Sequence, residues 1–314
     1  MQKSAIFSDT AFRKYVPAFV LFAFILFNCL FTPNFVSWVT FSNLFMQATK
    51  VALVALGMTL VIATGGIDIS VGSAMGLGAT ISAVFLVNNQ PVGVVISLLV
   101  VLFIGLLSGI MVSKFRILPL VTTLAFMYIM RGLAQVISGI GTVTIDYPEM
   151  QRFFVTPVIG RVPIHFFILI FAAGIMYIVV NRMKLGSQIE AYGNNPQAAK
   201  ICGINTTGIV ISVYVICAFL AWSSGMLEMA MVSCADPFRT GLDMEIDAIA
   251  SVIIGGTPIS GGYPNIIGSV CGAFILQLIT MMCNMNNIPY SISLLIKATI
   301  IVLALFFHGF RRKI

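Results

Sequence analysis

The chain has 314 residues, of which 59% are hydrophobic and only 9% are charged. Soluble globular domains carry about 25% charged residues, so this composition excludes an ordinary soluble protein and predicts one that spans a membrane. The formal net charge of +7 does not indicate nucleic-acid binding, because the basic residues cluster at the ends of apolar segments and form no patch with interleaved aromatic residues.

Apolar segments fill most of the chain. A helix needs about 20 apolar residues to cross a bilayer, and that length divides the chain into about ten segments. They are approximately 16–33, 44–64, 69–87, 92–112, 118–137, 162–180, 209–231, 246–256, 266–283 and 290–307. The third is rich in glycine and the eighth is short. We therefore expect an all-α polytopic membrane protein that forms a single domain over residues 1–314.

The basic residues indicate which side of the membrane each loop occupies. If all ten segments cross, both termini lie on one side, and most of the Lys and Arg residues fall there as well. Three basic residues fall on the other side: Arg152, Arg161 and Arg239. The positive-inside rule then makes both termini and the loop 183–208 cytoplasmic. On the opposite face, the long loop 138–161 is either a plain connection or a surface for an extracellular partner.

A glycine-rich turn with a carboxylate separates the second and third segments. Residues 65–72 read GGIDISVG. Two interpretations of Asp68 stay open. Either Asp68 or Ser70 caps a helix that begins at Val71, or Asp68 contacts a substrate, because ionisable residues at membrane depth are commonly functional.

The same pattern occurs again later in the chain. Residues 255–262 read GGTPISGG and share the pattern GG-x-x-I-S-x-G with residues 65–72. With ten crossings, both turns lie at the same membrane face. Transporters are often built from structural repeats with interrupted helices, so this repetition favours transport over anchoring. The candidates for a translocation path or a helix cap are Asp68, Ser70, Gly72, Glu245, Asp247, Gly255 and Gly256.

The loop 183–208 is a polar stretch that contains a signal for a short helix. Asn195 is a favourable N-cap, Pro196 suits the first helical position and Gly203 supplies a left-handed stop. A helix of two turns is marginal alone, so other contacts must hold it. The segment is either a structured connection or a docking surface for a water-soluble partner. Its residues are Asn195, Pro196, Gln197, Ala198, Ala199, Lys200, Ile201, Cys202 and Gly203.

The sequence contains no recognisable catalytic constellation. It has no GxxxxGK[ST] sequence, so the chain does not hydrolyse nucleotide itself, and it has no G-x-S-x-G nucleophile motif. The six cysteines and two histidines are not at metal-ligand spacing, so we predict no metal, no catalytic residue and no cofactor in this chain. An integral-membrane enzyme would need clustered Asp, Glu or His on facing segments. That class, like a stand-alone secondary transporter, is a less favoured alternative.

Three motifs together resemble the permease subunits of ribose/xylose-type ABC importers of monosaccharides. Residues 63–73, ATGGIDISVGS, are similar to the GGIDLSVG signature of that family, with Ile69 in place of Leu. Residues 193–204, GNNPQAAKICGI, resemble its loop G-x-N-x-x-A-A-x-x-x-G-I. Residues 245–262, EIDAIASVIIGGTPISGG, resemble its stretch EL-D-x-IAAVVIGGT-x-x-x-GG, although Pro258 stands in a turn that the family usually makes with Ser and Gly.

The resemblance implies a subunit of the bacterial inner membrane that dimerises, with itself or with a related chain. Two cytoplasmic ATPase subunits would supply the energy, using ATP and Mg, and an extracytoplasmic sugar-binding protein would deliver a monosaccharide. Residues 195–203 would form the coupling helix that inserts into a cleft of the ATPase. The alternative is an importer of the same architecture for a branched-chain amino acid, a nucleoside or a furanosyl signal molecule. The positions of the basic residues indicate no nucleic-acid partner.

Overall fold

The computed structural model describes residues 2–159 and 162–310, and within them the chain is mostly helical. The helices are α1 (Gln2–Phe31), α2 (Trp38–Ala63), α3 (Val71–Val87), α4 (Val92–Ser113), α5 (Pro119–Ser138), α6 (Pro148–Val155), α7 (Ile164–Asn181), α8 (Lys184–Asn194), α9 (Pro196–Ile201), α10 (Thr206–Val232), α11 (Met244–Ile254), α12 (Ile266–Met285) and α13 (Tyr290–Phe310). The strands are β1 (Val143–Thr144), β2 (Pro157–Ile159), β3 (Val162–Pro163) and β4 (Cys234–Ala235).

Each of the ten predicted apolar segments overlaps one helix. Among the described residues, six helices are long and apolar enough to cross a membrane, namely α2, α4, α5, α7, α10 and α12. Shorter apolar stretches occur in α1, α3 and α13. The chain is therefore a polytopic helical membrane protein. The eighth predicted segment corresponds to α11, whose 11 residues rise only about 16 Å, about half the thickness of a hydrocarbon core.

Helix α10 lies at the centre of the bundle and packs against α2, α3 and α4. The helices approach each other closely where one of them carries glycine. A Cβ atom added at Gly57 of α2 would lie 2.8 Å from the Cα atom of Cys217, and one at Gly225 of α10 would lie 2.8 Å from the Cα atom of Met75. Small residues at such crossings let two backbones touch, which favours helix association in a membrane.

The loop predicted between residues 138 and 161 is folded. It contains α6 and strands β1 and β2, and β1 pairs with β4 through Val143 and Ala235. Tyr147 donates a hydrogen bond from its hydroxyl to Oδ1 of Asn89, at 2.8 Å. These strands were not predicted, because each has only two or three residues. Residues 160 and 161, at the end of the predicted loop, lie outside the described residues.

Candidate functional site

The polar loop 183–208 contains two helices, α8 and α9, where the sequence predicted one. Leu185, Ile189 and Tyr192 give α8 an apolar face at spacings of four and three residues, and Ile189 is fully buried. This pattern was missed because Gly186 and Gly193 lower the helix propensity of the segment. Burial raises the pKa of Tyr192, so its hydroxyl stays protonated beside the bundle.

The short helix α9 begins with the predicted cap. Asn195 Oδ1 accepts hydrogen bonds from the N–H groups of Gln197, at 3.1 Å, and Ala198, at 3.0 Å. Pro196 occupies the first helical position. Gly203 has a φ angle of +78°, and its N–H donates to the Lys200 carbonyl oxygen at 3.1 Å. Both predicted ends of the helix signal are therefore confirmed, although the helix itself ends at Ile201.

One side of α9 contacts the rest of the chain and the other faces outward. Ala199 is only 4% exposed, whereas Ile201 is 87% exposed. Ala198 and Cys202 are also exposed. The outer side of α9 thus offers a partner one exposed apolar residue, although single exposed hydrophobic residues are also common on protein surfaces. Ala199, one of the residues predicted to dock a partner, is buried against its own chain.

The loop and the two glycine-rich turns meet at one end of the bundle. The N–H group of Gly262 donates to the Ala63 carbonyl oxygen at 2.9 Å. A Cβ atom added at Gly193 of α8 would overlap that same carbonyl oxygen. A Cβ atom at Gly65 would lie 3.9 Å from the Ser260 carbonyl oxygen. The two turns therefore lie at the same end of the bundle, as predicted, and α8 contacts Ala63 and Gly262 there.

The first turn folds around Asp68, which is only 4% exposed. Asp68 Oδ1 accepts hydrogen bonds from the Ser70 N–H group, at 2.9 Å, and from Ser70 Oγ, at 2.6 Å. Thr123 of α5 links to the same turn, because its Oγ1 accepts from Ile69 N and donates to the Ile67 carbonyl oxygen. No side-chain hydrogen bond caps α3. Ser70 occupies the N-cap position of α3, but capping by the Asp68 side chain is wrong, because its carboxylate makes an Asx turn that ends at Ser70.

A small internal cavity borders Asp68 and Ser70. Its volume is about 10 Å³, and α3, α4, α5 and α10 supply the rest of its lining. A cavity of this size has room for about one water molecule. The hydroxyl of Tyr214, a buried α10 residue next to Gly66, has no hydrogen-bond partner among the described residues. Asp68 and Ser70 are therefore the polar side of a space for about one water molecule, and the rest of its lining is apolar.

The segment between β4 and α11 lies directly on α3. A Cβ atom added at Gly72 would lie 2.5 Å from Glu245 Oε2, so these two predicted residues are in contact. Arg131 of α5 donates from Nη1 to the carbonyl oxygens of Pro237, at 3.1 Å, and Thr240, at 2.8 Å. These bonds satisfy two carbonyl oxygens in a stretch that is neither helix nor strand. Arg131 therefore holds the irregular segment that leads into α11.

Asp247 forms an ion pair away from Glu245. Lys297 of α13 places its Nζ atom 3.0 Å from both carboxylate oxygens of Asp247. The side chains are 11% exposed for Lys297 and 22% exposed for Asp247. Removing one partner of such a half-buried pair leaves the other charge without compensation. This pair fastens α11 to α13.

The second turn is held by Asn265, which the sequence prediction missed. Asn265 donates from Nδ2 to the Gly255 carbonyl oxygen at 2.8 Å and from its backbone N–H to Thr257 Oγ1 at 3.0 Å. Its Oδ1 accepts from Gly268 N at 3.1 Å, which caps α12. Gly256 has a φ angle of +87°. An asparagine immediately before an apolar segment is a helix-start signal, and it was available in the sequence.

Comparison with known proteins identifies the family. Residues 40–305 match the family described as "Branched-chain amino acid transport system / permease component". The chain belongs to this family. The permease is 34% identical over 280 residues to the ribose import permease protein RbsC of Escherichia coli strain K12, covering 87% of this chain and 86% of that protein.

Other relatives are named for related sugars. The permease is 36% identical over 268 residues to the galactofuranose transporter permease protein YtfT of Escherichia coli strain K12, covering 82% of this chain and 76% of that one. It is 36% identical over 242 residues to the fructose import permease protein FruF of Bifidobacterium longum, covering 76% and 68%. No solved structure matches the chain. These relatives confirm the resemblance to permeases of monosaccharide importers.

Proposed function

We propose that this permease is the transmembrane subunit of an ABC importer that carries a monosaccharide across the bacterial inner membrane. Its relatives named for ribose, galactofuranose and fructose support this substrate class. ATP and Mg are used by a cytoplasmic ATPase subunit. A second permease copy, identical or related, completes the membrane part, and an extracytoplasmic sugar-binding protein delivers the substrate.

The proposed topology has about ten membrane segments and cytoplasmic termini. The loop that carries α8 and α9 is cytoplasmic in this arrangement. Its basic residues Lys184 and Lys200, together with Arg182 just before it, support that orientation under the positive-inside rule. Helix α11 is a half-length segment in this arrangement, and it follows the irregular residues 236–243.

The observation that carries the proposal is the two-sided character of α9. Its inner side is fixed through Ala199, and its outer side presents Ile201, an apolar residue with no cover from this chain. We assign residues 195–203 as the surface that docks on the ATPase. Burying a side chain such as Ile in a partner's cleft contributes about 2 kcal/mol, which is enough for one anchor of a multi-residue contact.

The same contacts give a path by which movement of the ATPase reaches the bundle. Helix α9 packs on α8, and Gly193 at the end of α8 touches Ala63, where α2 ends. The carbonyl group of Ala63 also binds Gly262 of the second turn. Displacement of α9 therefore acts on the cytoplasmic ends of α2 and α11 together. The partner is essential, because only a ligand with different affinities for two states shifts their populations.

We propose that the candidate residues near the two turns act mainly by holding together the helices that move during transport. Asp68 and Ser70 fix the start of α3, and the contact between Gly72 and Glu245 fixes the start of α11 on α3. Asp247 fixes α11 to α13. A path for the sugar then opens between two permease copies when the helices joined by these contacts move apart.

The docking proposal is tested with Ile201→Glu. A charge at this position removes the apolar anchor and would have to be buried in the partner. We expect co-purification of the ATPase subunit and sugar uptake to fall at least about tenfold, the equivalent of 1.4 kcal/mol. The matched control is Ser187→Glu, which adds the same charge at an exposed position of α8. Normal assembly and uptake with Ile201→Glu would overturn the proposal.

A different solute is the second candidate, and the family description, which names branched-chain amino acids, favours it. Nucleosides and furanosyl signal molecules belong to the same alternative. Binding of the cognate extracytoplasmic protein to a panel of sugars, amino acids and nucleosides separates these cases. Co-purification of an ATPase subunit with the permease would also exclude a stand-alone secondary transporter and argue against a membrane enzyme.

A further inference from the structure

An apolar cleft separates α1 from α7 on one side of the bundle. Helices α2 and α12 form its floor, α1 forms one wall through Leu21 and Ile25, and α7 forms the other through Phe166 and Ala173. Its volume is about 390 Å³, which is within the range of about 300–1,000 Å³ that small-molecule sites occupy. The cleft exists because α1 packs mainly on α12, whereas α7 packs on α2.

The chemistry of the lining restricts what fills this cleft. All but two of the lining residues have aliphatic or aromatic side chains. The exceptions are Thr40 and Cys271. Water in such a space would make few hydrogen bonds, so hydration is unfavourable. Helices α2, α7 and α12 are all candidate membrane spans. The medium next to the cleft is therefore lipid hydrocarbon.

We propose that the cleft binds an acyl chain of a membrane phospholipid. A helix from a second copy of the chain is too large to be the occupant. A membrane-spanning helix is about 10 Å wide and 30 Å long and so occupies roughly 2,400 Å³, several times the volume of the cleft. An acyl chain is unbranched, apolar and narrow enough to enter a cleft lined by rings such as Phe45 and Phe274.

The orientation of the lipid follows from the polar end of the cleft. Thr40, in the first turn of α2, lines the cleft, and its hydroxyl is 2.8 Å from Ser37 Oγ, the N-cap of that helix. The Trp38 ring lies tilted against the Phe41 ring, with centroids 5.1 Å apart. Tryptophan and hydroxyl groups at a helix end are typical of the membrane–water interface. The lipid headgroup therefore lies at the start of α2, and the acyl chain extends from there towards Phe274.

Photocrosslinking tests this site directly. The purified full-length permease is placed in nanodiscs of phosphatidylethanolamine and phosphatidylglycerol that contain a phospholipid with a diazirine on one acyl chain. After illumination, labelled peptides are mapped by mass spectrometry. We expect labelling to concentrate on cleft residues of α7 and α12. The outward face of α4, which exposes Leu99 and Phe103, should show only the background labelling of bulk lipid.

Two variants of α7 provide the matched comparison. Ala173→Phe fills the cleft, and we expect cleft labelling to fall about tenfold, because forcing a chain into a filled site costs about 1–3 kcal/mol. Gly174→Phe adds a ring one residue further along, where a Cβ atom meets no described atom within 4 Å, and should leave cleft labelling unchanged. If Ala173→Phe does not give a monodisperse protein, Ala173→Leu is measured in its place.

Three results would overturn the proposal. The first is uniform labelling of all membrane-facing helices, and the second is unchanged cleft labelling in the Ala173 variant. The third is a cleft that the lipid does not label because a second permease copy covers it, which would make the occupant a protein. All three readouts are independent of which solute is imported, so a failure of the proposed transport function would not change them.

Discussion

The two glycine-rich turns share the pattern GG-x-x-I-S-x-G and lie against each other, yet they fold differently. In the first turn the fourth position is Asp68, and this residue and Ser70 are buried inside the bundle. In the second turn Pro258 occupies that position, and Ser260 is exposed. The first turn leads back into the bundle to start α3. The second remains at the bundle end, where it contacts α8.

The difference between the turns comes from the side chain that satisfies each backbone. Asp68 accepts two hydrogen bonds from within its own turn. Pro258 has no polar side chain, and the second turn is fixed by Asn265, three residues beyond the shared pattern. The repeated pattern therefore shows where helices end. The polar side chain that binds each turn determines the direction in which the chain continues.

Of the substitutions in the two turns, Asp68→Ala is expected to lower the free energy of unfolding most. It leaves the buried N–H and hydroxyl groups of Ser70 without their acceptor, and each unsatisfied buried donor costs about 1–3 kcal/mol. We expect a loss of about 3 kcal/mol in the free energy of unfolding, visible as a lower melting temperature in detergent, together with a loss of uptake.

Asp68→Asn is the matched control for that substitution. It keeps a carbonyl oxygen at the position of Oδ1, so the turn retains its acceptor, and we expect a loss of about 1 kcal/mol. Equal losses for the two variants would show that the negative charge, and not the hydrogen bonds to Ser70, is what the site requires.

A smaller effect is expected from Asn265→Ala in the second turn. It removes the cap of α12 and the donor to the Gly255 carbonyl oxygen, each of which contributes about 1 kcal/mol. The expected loss of about 2 kcal/mol is measured by the same thermal unfolding. Asn265→Ser keeps a side-chain oxygen for the cap but loses the donor, so its loss should be about half. A loss with Asn265→Ser as large as with alanine would place the whole effect in the Gly255 contact.

Much of the fold was predictable because the signals are local. Apolar length located all ten main helices, and the cap at Asn195 with the glycine at 203 located α9. The amphipathic face of α8 was missed, since Gly186 and Gly193 interrupt it in the sequence. In the fold these glycines allow close contacts with Val180 and Ala63, respectively.

The remaining features depend on residues that are distant in the chain. Strands β1 and β4 form only because residue 143 meets residue 235, and no local pattern specifies a two-residue strand. The burial of Ala199 and the exposure of Ile201 follow from how α9 rests on α8 and α10. The sequence left the role of Asp68 open for a chemical reason, because an aspartate suits both a helix cap and an Asx turn.

The smallest losses in stability are expected from Gly→Ala substitutions, and these losses test most directly why the two turns differ. Gly65 and Gly256 have φ angles of +77° and +87°, and a Cβ atom at either position would lie 3.9 or 3.8 Å from its nearest neighbour. Gly65→Ala and Gly256→Ala therefore cause backbone strain without a clash, and each should cost about 1 kcal/mol in thermal unfolding. Gly261→Ala should cost more, because its Cβ atom would lie 2.9 Å from the Gly193 carbonyl oxygen. If Gly65→Ala were as damaging as Asp68→Ala, the backbone of the first turn, and not its carboxylate, would direct the chain back into the bundle.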